Sequence, residues 1–128
     1  MVIVCCGLPV TAEVMGQLRG CGSVDPTDPN NFSEITILND TPSAVVVADC
    51  PGAECHADQL PVRLSPGQSY GDDAACGSTG ADMTSWRLNT SEGTLIGYIA
   101  VDMPRKHDGL VYRVSRASHD RHTPTPSG

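Results

Sequence analysis

At 128 residues the chain suits one domain, with 39% hydrophobic residues for a modest core. Only 18% of residues are charged, which excludes a long charged helix or coiled coil, and 13 Gly with 10 Pro imply many turns. Eight Lys and Arg against 15 Asp and Glu leave a net charge of −7, which disfavours phosphate-backbone binding, because nucleic-acid affinity rests on clustered cations.

Residues 1–20 read as a signal or anchor segment. Residues 2–10 are apolar, and Val10-Thr11-Ala12 supplies small residues suited to a cleavage site. No Lys or Arg precedes the run, and it is shorter than the ~20 apolar residues a bilayer requires. Extending it to Leu18 would bury Glu13, which is costly at the bilayer centre. A buried helix of the domain is a weaker reading, because Pro9, Gly7 and Gly16 oppose it. The expectation is an exported chain attached to the membrane, its start lying inside a longer reading frame. Leu18-Arg19-Gly20-Cys21 resembles the lipobox of bacterial lipoproteins, which implies a lipid on Cys21. Arg19 stands where that pattern has a small residue, so a simple anchor is preferred. The cysteine-rich body, the apolar start and a single Lys resemble exported proteins of actinobacterial type.

Residues 21–33 form a linker, with Asp25-Pro26 and Asp28-Pro29 favouring turns and extended chain. Short strands follow over residues 34–117. Glu34 to Asn39 is a strand with Ile35 and Ile37 on one face, and Asn39-Asp40-Thr41-Pro42 is a turn. Ala44 to Ala48 is a β-branched run, expected at the centre of a sheet. Leu60 to Leu64 alternates, and Pro61 assigns it to an edge. Ser65-Pro66-Gly67-Gln68 predicts a type II turn. Asp72 and Asp73 read as an exposed acidic turn. Thr84 to Leu88 is another strand, its Trp86 expected in the core. Thr94 to Val101 is the longest strand signal, and Gly109 to Val114 is expected as its hairpin partner through His107-Asp108-Gly109. Residues 118–128 read as a disordered tail.

With no convincing 3.6-residue periodicity in the body, the expected fold is all-β. It is an antiparallel β-sandwich of immunoglobulin-like or cupredoxin-like outline, with a small open barrel as the alternative.

Six cysteines are many for a cytosolic chain of this length. Cys5 and Cys6 belong to the apolar start. Cys21, Cys50, Cys55 and Cys76 suit two disulfides, their pairing open among three possibilities. Cys50-Pro51-Gly52-Ala53-Glu54-Cys55-His56 is the sharpest local feature. A disulfide across its Pro-Gly turn is preferred. The competing reading is copper or zinc held by Cys50, Cys55 and His56, with a fourth ligand from Cys76, Met83 or Met103. Four residues between the cysteines, outside any βαβ pattern, argue against thioredoxin-like redox chemistry. Blue-copper chemistry is disfavoured because no Cys follows Cys76.

No catalytic constellation stands out. Ser, His and Asp occur without a Gly-x-Ser-x-Gly elbow, and Asp72-Asp73 lacks calcium-loop spacing. His119 and His122 fall in the tail. Asn39-Asp40-Thr41 and Asn89-Thr90-Ser91 match the N-glycosylation pattern, which carries no weight in a bacterial chain. The expectation is therefore a non-enzymatic, extracytoplasmic, membrane-anchored binding or accessory module, perched in an envelope assembly and using no cofactor. Residues 94–115 are the candidate docking region for a protein partner, through Tyr98, Arg105, Lys106 and Arg113.

Overall fold

The computed structural model describes residues 21–22, 25, 27–50 and 60–128. Seven strands alternate with turns: β1 Phe32–Leu38, β2 Val45–Cys50, β3 Val62–Leu64, β4 Ser69–Ala75, β5 Thr84–Thr90, β6 Leu95–Val101 and β7 Leu110–Arg113. Helical structure among the described residues is confined to short 3-10 turns such as Pro29–Asn31, Gly80–Asp82 and Val114–Arg116. No helix among the described residues is long and apolar enough to cross a membrane. The segment expected as an anchor, residues 1–20, lies outside the described residues.

The strands form two sheets, one ordered β4-β1-β7 and the other β3-β2-β5-β6. Alternation creates one core from both. Ile35 and Ile37 of β1 face Val45, Val47, Trp86, Leu88, Ile99 and Val101 of the four-stranded sheet, and all are buried. Leu64, Ala74, Met103, Tyr112 and Val114 complete the cluster. Burying one such aliphatic or aromatic side chain contributes about 1.5–3 kcal/mol, so this period-two pattern dictates which face each strand turns inward. Val45–Cys50 lies at the interior of its sheet, between β3 and β5, as its β-branched run predicts.

The edge at Pro61 also stands as expected. Val62–Leu64 pairs only with β2, and Pro61 precedes it where no ladder donor is required. Gly67 takes φ +83° in the turn that follows, and Gln68 N donates to Ser65 O at 3.0 Å. This turn carries the chain from β3 in one sheet to β4 in the other, closing one side of the two-sheet stack.

Four expectations are corrected. Leu110–Arg113 is not the hairpin partner of β6: it pairs in parallel with β1 in the opposite sheet, from Ile35 with Leu110 to Leu38 with Arg113. The three-stranded sheet is accordingly mixed, not wholly antiparallel. The physical reason is burial, since Tyr112 and Val114 reach the core only from the β1 side. Asp72 and Asp73 lie within strand β4, paired with Ile35 and Glu34, rather than in an exposed turn. The strand was hidden because Ser69–Ala75 has no β-branched residue.

Residues 118–128 are hydrogen-bonded to the body rather than disordered. Ser118 exchanges both backbone bonds with Tyr98, at 2.9 and 2.7 Å. Thr125 N donates to Ala100 O at 2.8 Å, and Gly128 N donates to Val111 O at 2.9 Å. The segment therefore laces the β6 edge of one sheet to the β7 edge of the other. Polar composition concealed this, because the contacts are made by backbone and hydroxyl groups.

Candidate functional site

Cys21 and Cys76 form a disulfide, with Cα atoms 5.7 Å apart and a sequence separation of 55. It ties the linker to the turn after β4. Cys50 is also disulfide-bonded. Cys55 and His56, the remaining members of the alternative metal set, lie outside the described residues. Among the described residues no group of three or more His, Cys, Asp or Glu is placed to hold a metal ion.

The four residues expected to share a docking surface are not brought together. Tyr98 is half-buried on the outer face of β6. Arg105 is exposed in the loop that follows β6. Lys106 is used internally: its Nζ donates to Pro29 O at 3.3 Å, Phe32 O at 2.8 Å and Asp108 Oδ1 at 3.3 Å. Arg113 lies in the other sheet, where its Nε donates to Gly128 O at 2.7 Å. Two of the three basic residues thus hold chain segments in place. The separation follows from the corrected partner of Leu110–Arg113: a hairpin would have put Arg113 beside β6, whereas β1 takes it to the opposite sheet.

An acidic cleft of about 300 Å³ opens where Asp49, Asp72, Asp73 and Asp82 meet Phe32 and Met83. Its Asp72 carboxylate is occupied by the protein. Asp72 Oδ2 accepts from Trp86 Nε1 at 2.9 Å and from the Tyr70 hydroxyl at 3.0 Å, and Asp72 Oδ1 accepts from Asp73 N at 2.8 Å. Burial, then the hydrogen bond to Asp72, pushes the Tyr70 hydroxyl up to about 12. A phenol so held stays protonated at neutral pH, and the carboxylate it serves anchors the core Trp.

The outer face of the four-stranded sheet is different. Because Trp86 and Leu88 point inward, Ser85, Arg87 and Asn89 of β5 point outward. Three of their atoms, Ser85 Oγ, Arg87 Nε and Asn89 Oδ1, are buried without a hydrogen-bond partner. Such a group costs about 1–3 kcal/mol when left unsatisfied. They recur every second residue, roughly 6.6 Å apart along the strand. Val46 and Ala48 flank them on β2, and Tyr98 stands opposite Arg87 on β6. Arg63 shares this face through its pairing with Val46. The opposite outer face presents Glu34 and Asp73, paired across β1 and β4. Arg113 shares that opposite face through its pairing with Leu38. Sequence reading named only Tyr98 here, although the alternation around Trp86 already assigns residues 85, 87 and 89 to one side.

The chain matches no known family model, no curated protein and no solved structure.

Proposed function

We propose that this protein is a non-enzymatic, extracytoplasmic binding or accessory module, held at the membrane by its N-terminal segment. It docks a protein partner on the outer face of β2, β5 and β6. In fold terms it is a β-sandwich of immunoglobulin-like or cupredoxin-like outline. Seven strands divided four and three over one core support that outline. The Cys21–Cys76 bridge supports an oxidising compartment.

The observation that carries the docking reading is the row Ser85, Arg87 and Asn89. A sheet that needed only stability would place apolar residues there, since replacing unsatisfied buried polar groups by apolar ones of similar shape is neutral or stabilising. Ser85 is covered by the chain itself, and the groups this face leaves open to another molecule are the exposed Arg63 and the half-buried Arg87, Asn89 and Tyr98.

The test uses a photo-crosslinking residue placed at Tyr98, and separately at Glu34 on the opposite face, in membranes of cells producing the full chain. The expected result is a discrete adduct from position 98 alone, lost when Arg87→Met and Asn89→Leu are introduced together. That double variant should also unfold at the same or a higher temperature. An adduct pattern that ignores Arg87 and Asn89, or that is equal at both positions, overturns the assignment.

A further inference from the structure

The outward positions of the four-stranded sheet carry cations without carboxylates. Arg63 of β3, Val46 and Ala48 of β2, Arg87 of β5 and Tyr98 of β6 share this side through their pairings. No Asp or Glu stands among the outward residues of these strands, in a chain with 15 acids against eight Lys and Arg. Lys106, Arg113 and Arg121 are used internally, on Asp108, Gly128 O and Cys50 O. The side chains of Arg63 and Arg87 have no hydrogen bond or ion pair among the described residues.

Pairing fixes how the two arginines stand. Arg63 lies opposite Val46 and Arg87 opposite Ala48, so they are two strands and two residues apart. Strand spacing and rise put their Cα atoms about 12 Å from each other. Only Val46 and Ala48, small and half-buried, lie between, which leaves a shallow floor with a cation on each side. Leu95, paired with Asn89 and 51% exposed, continues the face as an apolar shoulder. The C-terminal segment closes the other end, where Thr125 bonds Ala100 and Arg121 bonds Cys50, and leaves this end open.

A guanidinium meets a carboxylate through two parallel N–H···O bonds, and Arg and Tyr are the side chains that anchor contacts between proteins. An anionic membrane surface asks for about 4–8 clustered Lys or Arg, and a nucleic acid for a similar density. Two arginines on a chain of net charge −7 do not supply that. We propose that the occupant of this face is an acidic segment of a protein partner, which presents carboxylates to Arg63 and Arg87 and an apolar side chain to Leu95. The assignment rests on the docking reading above and adds the partner's chemistry to it.

The test adds the purified full chain, with the photo-crosslinking residue at position 98, to membranes of cells that lack it. One portion of the membranes is first treated with a carbodiimide and glycinamide, which turns carboxylates into neutral amides. Untreated membranes should give a protein adduct attached within a segment that contains Asp or Glu, and amidated membranes should give none. Raising salt from about 0.05 M to about 0.5 M should weaken the adduct. Arg63→Gln and Arg87→Gln should each lower its yield about tenfold. Both arginines face outward, so these variants should keep native Trp86 fluorescence; Arg63, fully at the surface, reads the point alone if Arg87→Gln does not fold. An adduct that needs Arg87 and Asn89 yet ignores amidation and salt keeps the docking face and overturns the acidic partner. Absence of any protein adduct at position 98 overturns the docking reading itself. Flotation with phosphatidylglycerol vesicles separates the lipid source: it should be equal for the unsubstituted chain and the double Gln variant, and a loss confined to the variant overturns the protein partner.

Discussion

Asp72 shows how one residue changes meaning between sequence and structure. Its carboxylate lies between a buried Trp and a Tyr hydroxyl, and both donors depend on it. Asp72→Ala leaves Trp86 Nε1 without that acceptor in a site where Trp86 is 1% exposed. The expected loss is about 1–3 kcal/mol, read from urea unfolding followed by Trp86 fluorescence. Asn39 is a second case. It is fully buried, donates to Ser43 O and Leu64 O, and accepts from Thr41, so its apparent glycosylation signature is a turn scaffold. Asp40 and Asp108 are two of the exposed acids that contribute to the response to pH. Asp40 feels burial pushing its carboxyl up, but the hydrogen bonds from Ser115 prevail and hold it below 3.8. Asp108 is held down by the Glu34 amide and by Lys106. A carboxyl lowered in the folded state binds its proton more weakly there than in the unfolded chain. Its stabilisation is therefore present above about 3.8 and lost as pH falls through the folded value. Asp40→Asn and Asp108→Asn should each flatten the fall of the unfolding midpoint below pH 4, a window taken from these downward shifts.

At the scale of elements, strands with β-branched and alternating residues were legible and those held by partners were not. Ile35 with Ile37, and Trp86, turn inward as expected, because apolar burial is written in the residues themselves, whereas Leu60, expected inward with Val62 and Leu64, lies before β3 and is 90% exposed. β4 carries Asp72 and Asp73, which read as an acidic turn, and its pairing with β1 overrides local propensity. The last strand was identified but given the wrong neighbour. Short loops favour hairpins, yet eight residues of loop let Leu110–Arg113 cross to β1. Thr125 is the expected hinge of the C-terminal attachment. Thr125→Val removes the hydroxyl that serves Ala100 N while keeping the side-chain volume near constant. The Ala100 amide should then exchange faster, by roughly tenfold for a bond contributing about 1.4 kcal/mol, and an unchanged rate would show that Thr125 is not what protects it.

For the whole molecule, covalent closure and charge placement matter most. Cys21 joins the region before β1 to Cys76 across 55 residues. Closing a loop of that size restricts the unfolded chain by an amount worth about 4 kcal/mol in the chain-entropy treatment. Reduction with the remaining bridges accounted for by mass, or Cys21→Ser with Cys76→Ser, should lower the unfolding midpoint correspondingly. A midpoint unmoved by the double variant would mean that the bridge restricts nothing the fold does not already restrict. The net charge of −7 is spread unevenly, with Glu34 and Asp73 on one outer face and Arg63 and Arg87 on the other. Arg63 and Arg87 give the β2–β5–β6 face cations that suit an acidic surface even though the molecule as a whole is anionic. The proposed docking face was only partly legible for this reason. Tyr98 could be named from its strand, but its basic companions come from β3 and β5, not from the neighbouring loop.

Residue chemistry by itself determined the all-β class, the inward turn of Ile35, Ile37 and Trp86, the Pro61 edge and the type II turn, since each follows from local sterics or from the period of apolar burial. Tertiary structure decided which edge received Leu110–Arg113, that Cys21 met Cys76, and that polar residues 118–128 sealed β6. Those outcomes depend on which distant segments compete for the same backbone groups, and no local pattern encodes that competition.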